Sequence, residues 1–184
     1  MNNTNLKVIC ISGKARSGKD TSAEALRKIL WGYGKRVLII HNADLLKYIC
    51  KTLFLWDGKK DERGRHILQY VGTDIVRAQR PDFWVDYIIS ILTLFGDSWD
   101  YVLIPDCRFP NEIDRLKASS FNVTHLRIIR DDYENGLTED QKNHPSETAL
   151  DHTVPDFTVS NNGTMCDLIS RLMKIAVHFE GGLW

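Results

Sequence analysis

The sequence predicts an α/β fold in which helices cover both faces of a five-stranded parallel sheet. Five short apolar stretches have the length and composition of strands, at residues 7–12, 36–41, 101–105, 123–129 and 157–160. Segments with a helical spacing of apolar residues alternate with them, including 45–54 and 66–77. Strands that alternate with helices form parallel sheets that are buried on both faces.

Length and composition predict a single domain over residues 1–184, which is long enough to bury a sizeable core. The chain has 24 basic and 24 acidic residues, and this zero net charge argues against a nucleic-acid polymer as partner. No apolar run reaches the ~20 residues of a membrane helix. The polar N-terminus and four scattered cysteines favour a cytoplasmic protein with reduced thiols. A homodimer and the role of Trp184 are left open.

The first predicted strand leads into a loop with the spacing of a phosphate-binding loop. Its sequence at residues 13–21 is Gly-Lys-Ala-Arg-Ser-Gly-Lys-Asp-Thr, and a helical pattern follows. Glycines allow backbone N–H groups to converge on an anion, the helix N-terminus adds partial positive charge, and Lys19 adds a full charge. The loop therefore predicts a site for a nucleoside triphosphate such as ATP, formed by Gly13, Ala15, Arg16, Ser17, Gly18, Lys19, Asp20 and Thr21.

Asp20 occupies the position after the lysine, where the general loop pattern has Ser or Thr as a Mg²⁺ ligand. A carboxylate is a hard oxygen ligand that suits Mg²⁺, so Asp20 would bind the ion directly or through water while Thr21 contacts a phosphate. The alternative is that Asp20 only caps the first helical turn, where acidic residues are favoured.

Two polar residues follow the second predicted strand, and ligands of parallel sheets bind beyond the carboxyl ends of the strands. Asp44 would accept a hydrogen bond from a substrate, and Lys47 would bind a phosphate. The alternative is a plain helix start, with Asn42 or Asp44 as the N-cap.

An acidic residue and a basic residue follow the third predicted strand. Asp106 comes directly after it, where a carboxylate would hold Mg²⁺ or its waters. Arg108 would neutralise charge on a transferring phosphoryl group. The alternative is a turn contact between Asp106 and Arg108, with Asn111 and Asp114 capping the next helix.

Two arginines precede the third strand. On a helix Arg77 and Arg80 share one face, and Pro81 would end that helix. Paired guanidiniums suit the dianion of a phosphate monoester. The alternative is that both only complement the helix dipole. Trp84 would stack on a nucleotide base, although a place in the core is the commoner use of tryptophan.

A long polar segment, 131–152, follows the fourth strand and has the length of a lid or binding loop. Arg130 at its base would reach the phosphates when the segment closes. His144 within it is expected to be a surface or hinge contact, because phosphoryl transfer needs no strong base.

The fifth strand ends in Ser-Asn-Asn-Gly at 160–163, where Asn161 and Gly163 would touch the nucleotide base through backbone groups. The same stretch also fits a plain turn before a helix, with Thr164 and Asp167 as a capping box.

In this order the segments resemble the P-loop nucleoside monophosphate kinases, most closely the phage-type deoxynucleoside monophosphate kinases. They span nearly the whole chain, and Lys-Asp-Thr at the end of the loop is usual in that family. The second segment lacks the proline that the family more often has before its leucine. The animal-type phosphomevalonate kinases look like more distant relatives. The matching segments are GKARSGKDT (13–21), NADLLK (42–47), RPDFW (80–84), DCRFPNE (106–112), HPSE (144–147) and SNNG (160–163).

The resemblance implies a P-loop kinase fold with a mobile lid near 131–152. It implies transfer of the γ-phosphoryl group of ATP to a deoxynucleoside monophosphate with Mg²⁺ as cofactor, in the host cytoplasm if a phage encodes the chain. By position, the loop residues would serve ATP and Mg²⁺. Lys142 is the only Lys or Arg of residues 132–151, so the lid is less arginine-rich than that of adenylate kinases and the clamping of phosphates falls to Arg130 and Arg108. The remaining implied roles are the acceptor phosphate for Lys47, Arg77 and Arg80, metal waters for Asp106, and the transferring group for Arg108 and Arg130.

Two other functions stay open from the sequence alone. One is a kinase of another small phosphorylated metabolite, such as phosphomevalonate. The other is a nucleotide-binding regulatory protein that hydrolyses ATP slowly or not at all. The paired arginines disfavour the regulatory protein, because a binding switch needs no second phosphate site.

Overall fold

A computed structural model describes residues 6–59, 61–131, 133–134 and 136–181. Residue 184, to which no role was assigned, lies outside these ranges. Among the described residues, no helix is both long enough and apolar enough to cross a bilayer.

Five parallel strands form one sheet in the order β2-β3-β1-β4-β5. β1 lies at the centre and pairs with β3 from Lys7 opposite Tyr101, and with β4 on its other side. The predicted all-parallel sheet is therefore confirmed. The strands are β1 (Lys7–Ser12), β2 (Val37–Ile39), β3 (Tyr101–Ile104), β4 (Asn122–Ile129) and β5 (Phe157–Ser160).

β2 is shorter than the predicted strand 36–41, for a local reason. The amide of Ile40 still donates to the carbonyl of Leu103 at 3.1 Å. The amide of His41 instead donates to the Asp44 carboxylate at 3.1 Å. The chain therefore leaves the sheet at His41 and enters the next helix within two residues.

The helices lie between the strands and after the last one. The predicted helix 66–77 begins earlier, at Glu62, where the Asp61 carboxylate accepts from the amide of Gly64 at 2.8 Å. From Tyr70 to Arg77 it continues with π-helical geometry. The helices are α1 (Lys19–Gly32), α2 (Ala43–Leu53), α3 (Glu62–Gln69), α4 (Phe83–Phe95), α5 (Pro110–Ala118), α6 (Glu139–Asn143), α7 (Pro145–Thr148) and α8 (Met165–Phe179).

The sheet is buried on both faces because side chains alternate along each strand. In β1, Ile9 and Ile11 pack into the core on the side of α1 and α8. Val8 and Cys10 pack into the core on the side of α4 and α5. A third apolar cluster lies beside the sheet and joins α2, the π-helical stretch and α4, with Leu46, Cys50, Trp56, Val71 and Trp84 as its buried members.

A buried histidine supports the end of β1. His125 in β4 is 2% exposed, and its Nε2 lies 2.7 Å from the Ser12 hydroxyl oxygen. Burial lowers the pKa of His125 to about 4, with Arg127 adding to the effect. The imidazole is therefore neutral at pH 7 in the folded protein.

The folded protein should lose stability as the pH falls from about 6.5 to about 4, because an unfolded His125 binds a proton that the folded state resists. The part of the free energy of unfolding that is lost on protonation of His125 is fully present above pH 6.5. It amounts to up to about 3 kcal/mol. Urea unfolding of wild type and His125→Gln across this range measures it. The variant should show the smaller loss on acidification, whereas His152→Gln, at an exposed position, should follow wild type. Parallel curves for wild type and His125→Gln would contradict the prediction.

Candidate active site

The loop between β1 and α1 has the backbone conformation of an anion-binding loop. Gly13 and Gly18 have φ angles of 146° and 97°, a region that favours glycine. A Cβ on Gly18 would also collide with the side chain of Asn161. Asn161 comes from the end of β5 and donates to the carbonyl of Ser17 at 2.8 Å. The loop is thus held against the β5 exit.

Lys19 is the first residue of α1 and is 8% exposed, with its side chain turned back to this loop. Its ammonium donates to the carbonyl oxygens of Gly13 and Lys14 at 2.8 and 2.7 Å. Burial, followed by the nearby Arg108 charge, lowers the pKa of Lys19 to about 8. The side chain is still mostly protonated at pH 7, so it offers a cation to a phosphate at the loop.

Two cavities meet at Lys19. The larger has a volume of about 530 Å³ and the smaller about 420 Å³. Lys19, Arg16 and Asp20 line both. A group that passes from one cavity to the other would therefore pass beside the loop lysine.

The smaller cavity gathers most of the residues that were predicted for the nucleotide, whereas Ala15 lines the larger cavity and Gly13 and Ser17 line neither of the two. Arg130 extends from the end of β4, and its guanidinium carbon lies 5.2 Å from the centre of the Tyr133 ring. Thr164 and Asp167 do form the capping box of α8, which leaves the preceding turn on the cavity wall. Besides the three shared residues, the lining consists of Gly18, Thr21, Arg130, Asn161, Gly163 and Met165.

The larger cavity gathers most of the residues predicted for the acceptor and for transfer. Asp44 and Arg80 are not in its wall. Asp44 instead accepts from Lys47 Nζ at 3.0 Å, and the Arg80 guanidinium lies 5.3 Å from the Phe83 ring centre. The predicted residues that do line it are Lys47, Arg77, Trp84, Asp106 and Arg108.

Asp106 caps a neighbouring helix. Its two carboxylate oxygens accept from the amides of Asn42 and Ala43, each at 2.9 Å. The alternative reading of a turn contact between Asp106 and Arg108 is therefore wrong, and Asn42 makes no side-chain cap of its own. Asp106 still lines the larger cavity, at the junction of β3 and α2.

Glu112 organises the turn after β3, where capping by Asn111 and Asp114 was the alternative expectation. Its carboxylate accepts from the amides of Arg108 and Phe109 at 2.7 and 3.1 Å. Asn111 instead donates to Asp82, at 2.7 Å. Burial raises the pKa of Glu112, which is 2% exposed.

Glu112 also pairs with Arg77, which corrects the prediction of two arginines side by side. One guanidinium nitrogen of Arg77 lies 2.7 Å from Glu112 Oε1, and the guanidinium stacks 3.8 Å from the Phe109 ring centre. Arg80 lies over Phe83 instead. The structure thus brings one of the two arginines to the larger cavity and buries most of it.

Trp84 has the structural role that is commoner for tryptophan. Its side chain is 3% exposed, and its indole nitrogen donates to the carbonyl of Gly72 at 2.9 Å. Its ring meets Phe83 edge to face at 4.9 Å. The indole therefore forms part of the cavity wall from within the core.

His41, which the sequence analysis did not single out, lines the larger cavity and its Nε2 lies 3.2 Å from Asp20 Oδ1. Its place at the end of the predicted strand 36–41 was the only available signal. Arg108 donates to the carbonyl of Ser146 at 2.9 Å and contacts the Glu147 carboxylate. His144 caps α7, because its Nδ1 accepts from the amide of Ser146 at 3.2 Å.

Comparison with known families identifies the group to which the chain is related. The model of the family described as deoxynucleotide monophosphate kinase matches residues 37–172. The chain belongs to this family. The resemblance found in the sequence is thus confirmed.

Curated relatives agree with this assignment. The deoxynucleotide monophosphate kinase of Enterobacteria phage T4 is 28% identical over 110 residues, which are 59% of this chain and 43% of the phage protein. The chain therefore spans less than half the length of that relative. A putative deoxynucleotide monophosphate kinase of Acanthamoeba polyphaga mimivirus is 29% identical over 194 residues, 91% of this chain and 94% of its own.

Solved structures with the same fold include kinases. The Mycobacterium tuberculosis APS kinase CysC in complex with AMPPNP and APS gives a TM-score of 0.56 at 10% identity, covering 96% of this chain and 98% of that one. The crystal structure of APE1195 gives a TM-score of 0.54 at 15% identity, covering 97% of this chain and 98% of that one. These likenesses confirm the predicted fold.

Glu112→Gln should destabilise the protein strongly, because it leaves the Arg77 guanidinium in a largely buried position without a counter-charge. The free energy of unfolding should fall by about 3 kcal/mol, as measured by urea denaturation. The matched control is Asp86→Asn, which removes one of the two acidic partners of the exposed Arg115 and should have a much smaller effect. Equal losses of unfolding free energy in the two variants would contradict the role of Glu112 as the counter-charge of Arg77.

Proposed function

We propose that this protein transfers the γ-phosphoryl group of ATP to a deoxynucleoside monophosphate, with ADP and a deoxynucleoside diphosphate as products. The observation that carries the proposal is the pair of cavities that meet at Lys19. A kinase needs two substrate sites that share one point of transfer, whereas a nucleotide-binding switch needs one. Membership of the family supports the choice of acceptor.

ATP would occupy the smaller cavity with its phosphates on the loop. Gly18 and Thr21 lie in the wall, and Asn161 and Gly163, which line the same cavity, would lie near the base. Lys19 would exchange its two carbonyl partners for phosphate oxygens, which keeps its buried charge satisfied. Arg130 at the rim would add a second cation.

The acceptor would occupy the larger cavity. Lys47 and Arg77 would face its phosphate. Trp84 and Leu46 are apolar residues of the same wall and would pack beside its nucleoside. Arg80, which the resemblance also assigned to this phosphate, lies away from the cavity wall in this structure.

Transfer needs positioning and charge stabilisation more than acid–base chemistry. An oxygen of the acceptor phosphate attacks the γ-phosphorus as the bond to the β–γ bridging oxygen breaks, and ADP leaves with the electron pair. The attacking oxygen of the acceptor phosphate carries no proton that a base would have to remove. Arg108, beside the loop in the larger cavity, would stabilise charge on the transferring group together with Lys19.

Mg²⁺ would accompany ATP, and the donor set suits it. Asp20 and Asp106 are hard oxygen donors, and both line the larger cavity next to the loop. No cluster of three or more metal-ligating side chains occurs in the described part of the chain. Mg²⁺ characteristically takes one or two carboxylates plus phosphates and waters, so the proposed ligand set needs the nucleotide. When bound, the ion would neutralise phosphate charge.

We also infer that the protein works on free nucleotides in the cytoplasm of a host cell, since two phage proteins are among its relatives. A single kinase domain with a lid near 131–152 and a homodimeric assembly remain predictions.

A coupled assay of ADP release should detect turnover with ATP, Mg²⁺ and one or more deoxynucleoside monophosphates. Ribonucleoside monophosphates and phosphomevalonate form the comparison set. Turnover with phosphomevalonate alone would replace the proposed substrate. ATP binding without turnover in any well would favour a regulatory protein.

Lys19→Ala should lower kcat by about 10²–10³-fold, because the buried cation at the junction of the cavities is lost. Lys28→Ala is the matched control, since Lys28 lies on the same helix at an exposed position. Circular dichroism should show that both variants are folded. Near-normal turnover by folded Lys19→Ala would refute the assignment of the loop.

Lys47→Met should raise the KM for the acceptor about tenfold, a loss of about 1.4 kcal/mol, and change the KM for ATP little. The reason is that Lys47 lines the larger cavity and not the smaller one. Lys51→Met, one turn further along α2, serves as control. A selective rise in the KM for ATP would mean that the two cavities have been assigned in the wrong order.

A further inference from the structure

The segment 144–147 has no part in the proposed function so far, although it matches the family pattern. It forms the start of α7, which His144 caps. Pro145 follows at the first helical position, where its missing N–H costs nothing. This sharp helix start brings the next acidic side chain, Glu147, to the wall of the larger cavity.

The Glu147 carboxylate links two parts of the site. Its side chain is 6% exposed. One oxygen contacts the guanidinium of Arg108, and the other accepts from the amide of Ala15 in the phosphate loop at 3.0 Å. A buried carboxylate is costly without partners, and these two contacts satisfy both of its oxygens.

The backbone around Glu147 is fastened to the loop as well. Lys14 Nζ donates to the carbonyl of Glu147 at 2.7 Å and to the carboxylate of Asp151 at 2.5 Å. Arg108 donates to the carbonyl of Ser146 at 2.9 Å. The orientation of the Glu147 side chain is therefore set by its surroundings, not only by its own two contacts.

Glu147 lies outside the wall of the cavity that is proposed for the triphosphate. Glu147 and Ala15 line the larger cavity and are absent from the wall of the smaller one, which contains Gly18 and Thr21. A carboxylate that stood in for the nucleotide phosphates would lie among those residues. The contacts instead place it between the loop and Arg108.

We propose that Glu147 is a positioning residue that fixes Arg108 relative to the phosphate loop, an inference that rests on the proposed function. An arginine side chain has many rotamers, and ordering it costs conformational entropy. If the side chain is held in one orientation before the reaction, this cost is not added to the barrier of the transition state. Glu147 acts through Arg108 and does not touch the transferring group.

A double-mutant cycle tests this role with Glu147→Gln, Arg108→Met and the double variant. The glutamine retains an oxygen for the Ala15 amide but loses the charge that holds Arg108. Each single variant should lower kcat by about 10–100-fold and change both KM values by less than about threefold. The double variant should be no worse than Arg108→Met, because the two residues act as one unit.

Glu139→Gln is the matched control for the cycle. Glu139 lies in α6 with its side chain 81% exposed and pairs with Lys142. This variant should have the kinetics of wild type, which separates loss of a specific carboxylate from loss of any negative charge in the segment.

Amide hydrogen exchange of Ala15 tests the contact without any substrate. The amide should be protected in wild type and in Glu147→Gln, and should exchange at least about tenfold faster in Glu147→Ala. Unchanged protection in Glu147→Ala would overturn the inference whatever the kinetics.

The outcomes separate this inference from the proposed function. Absence of turnover by wild type with every acceptor would overturn the proposed function. If wild type turns over and the losses of kcat in the two single variants add up in the double variant, the role of Glu147 is overturned but the proposed function is not. Tighter ATP binding by Glu147→Gln with undiminished kcat would identify Glu147 as a competing anion, which also overturns the positioning role.

Discussion

The ammonium group of Lys19 lies almost buried at the carboxyl end of the central strand, and it must have oxygen partners there. The loop supplies two carbonyls, those of Gly13 and Lys14. It bends back on the lysine because Gly13 and Gly18 adopt positive φ angles. A cavity opens on each side of the same cation, so the geometry of both proposed substrate sites depends on this one side chain.

Acidic side chains hold the cationic parts of the site in place. Asp106 fixes the N-terminus of α2, Glu112 fixes Arg77, and Glu147 fixes Arg108. Each carboxylate weakens the attraction of the site for anions, but each also removes conformational freedom from a group that would face a phosphate. Preorganised charge is the larger effect in phosphoryl transfer, so this arrangement suits a transfer site.

Sequence patterns located β1 and β3 most directly, because these two strands are apolar runs that are buried on both faces. They were less accurate where tertiary contacts override local preference. The helix 66–77 changes to π-helical geometry at Tyr70. Trp84 packs into the core, and Arg80 turns to Phe83 instead of joining Arg77. For Trp84 the outcome is decided by a neighbour from the π-helical stretch, because its indole nitrogen donates to the carbonyl of Gly72.

The sequence alone determined the loop at 13–21, the five strands and the capping box of α8, because these depend on residues close together in the chain. Only the tertiary structure decided which charges meet. Glu112 and Arg77 are 35 residues apart, and Glu147 and Ala15 are 132 apart. Their pairing depends on the strand order, in which β3 and β4 flank the central strand, so that the segments after β3, β1 and β4 lie side by side at one edge of the sheet.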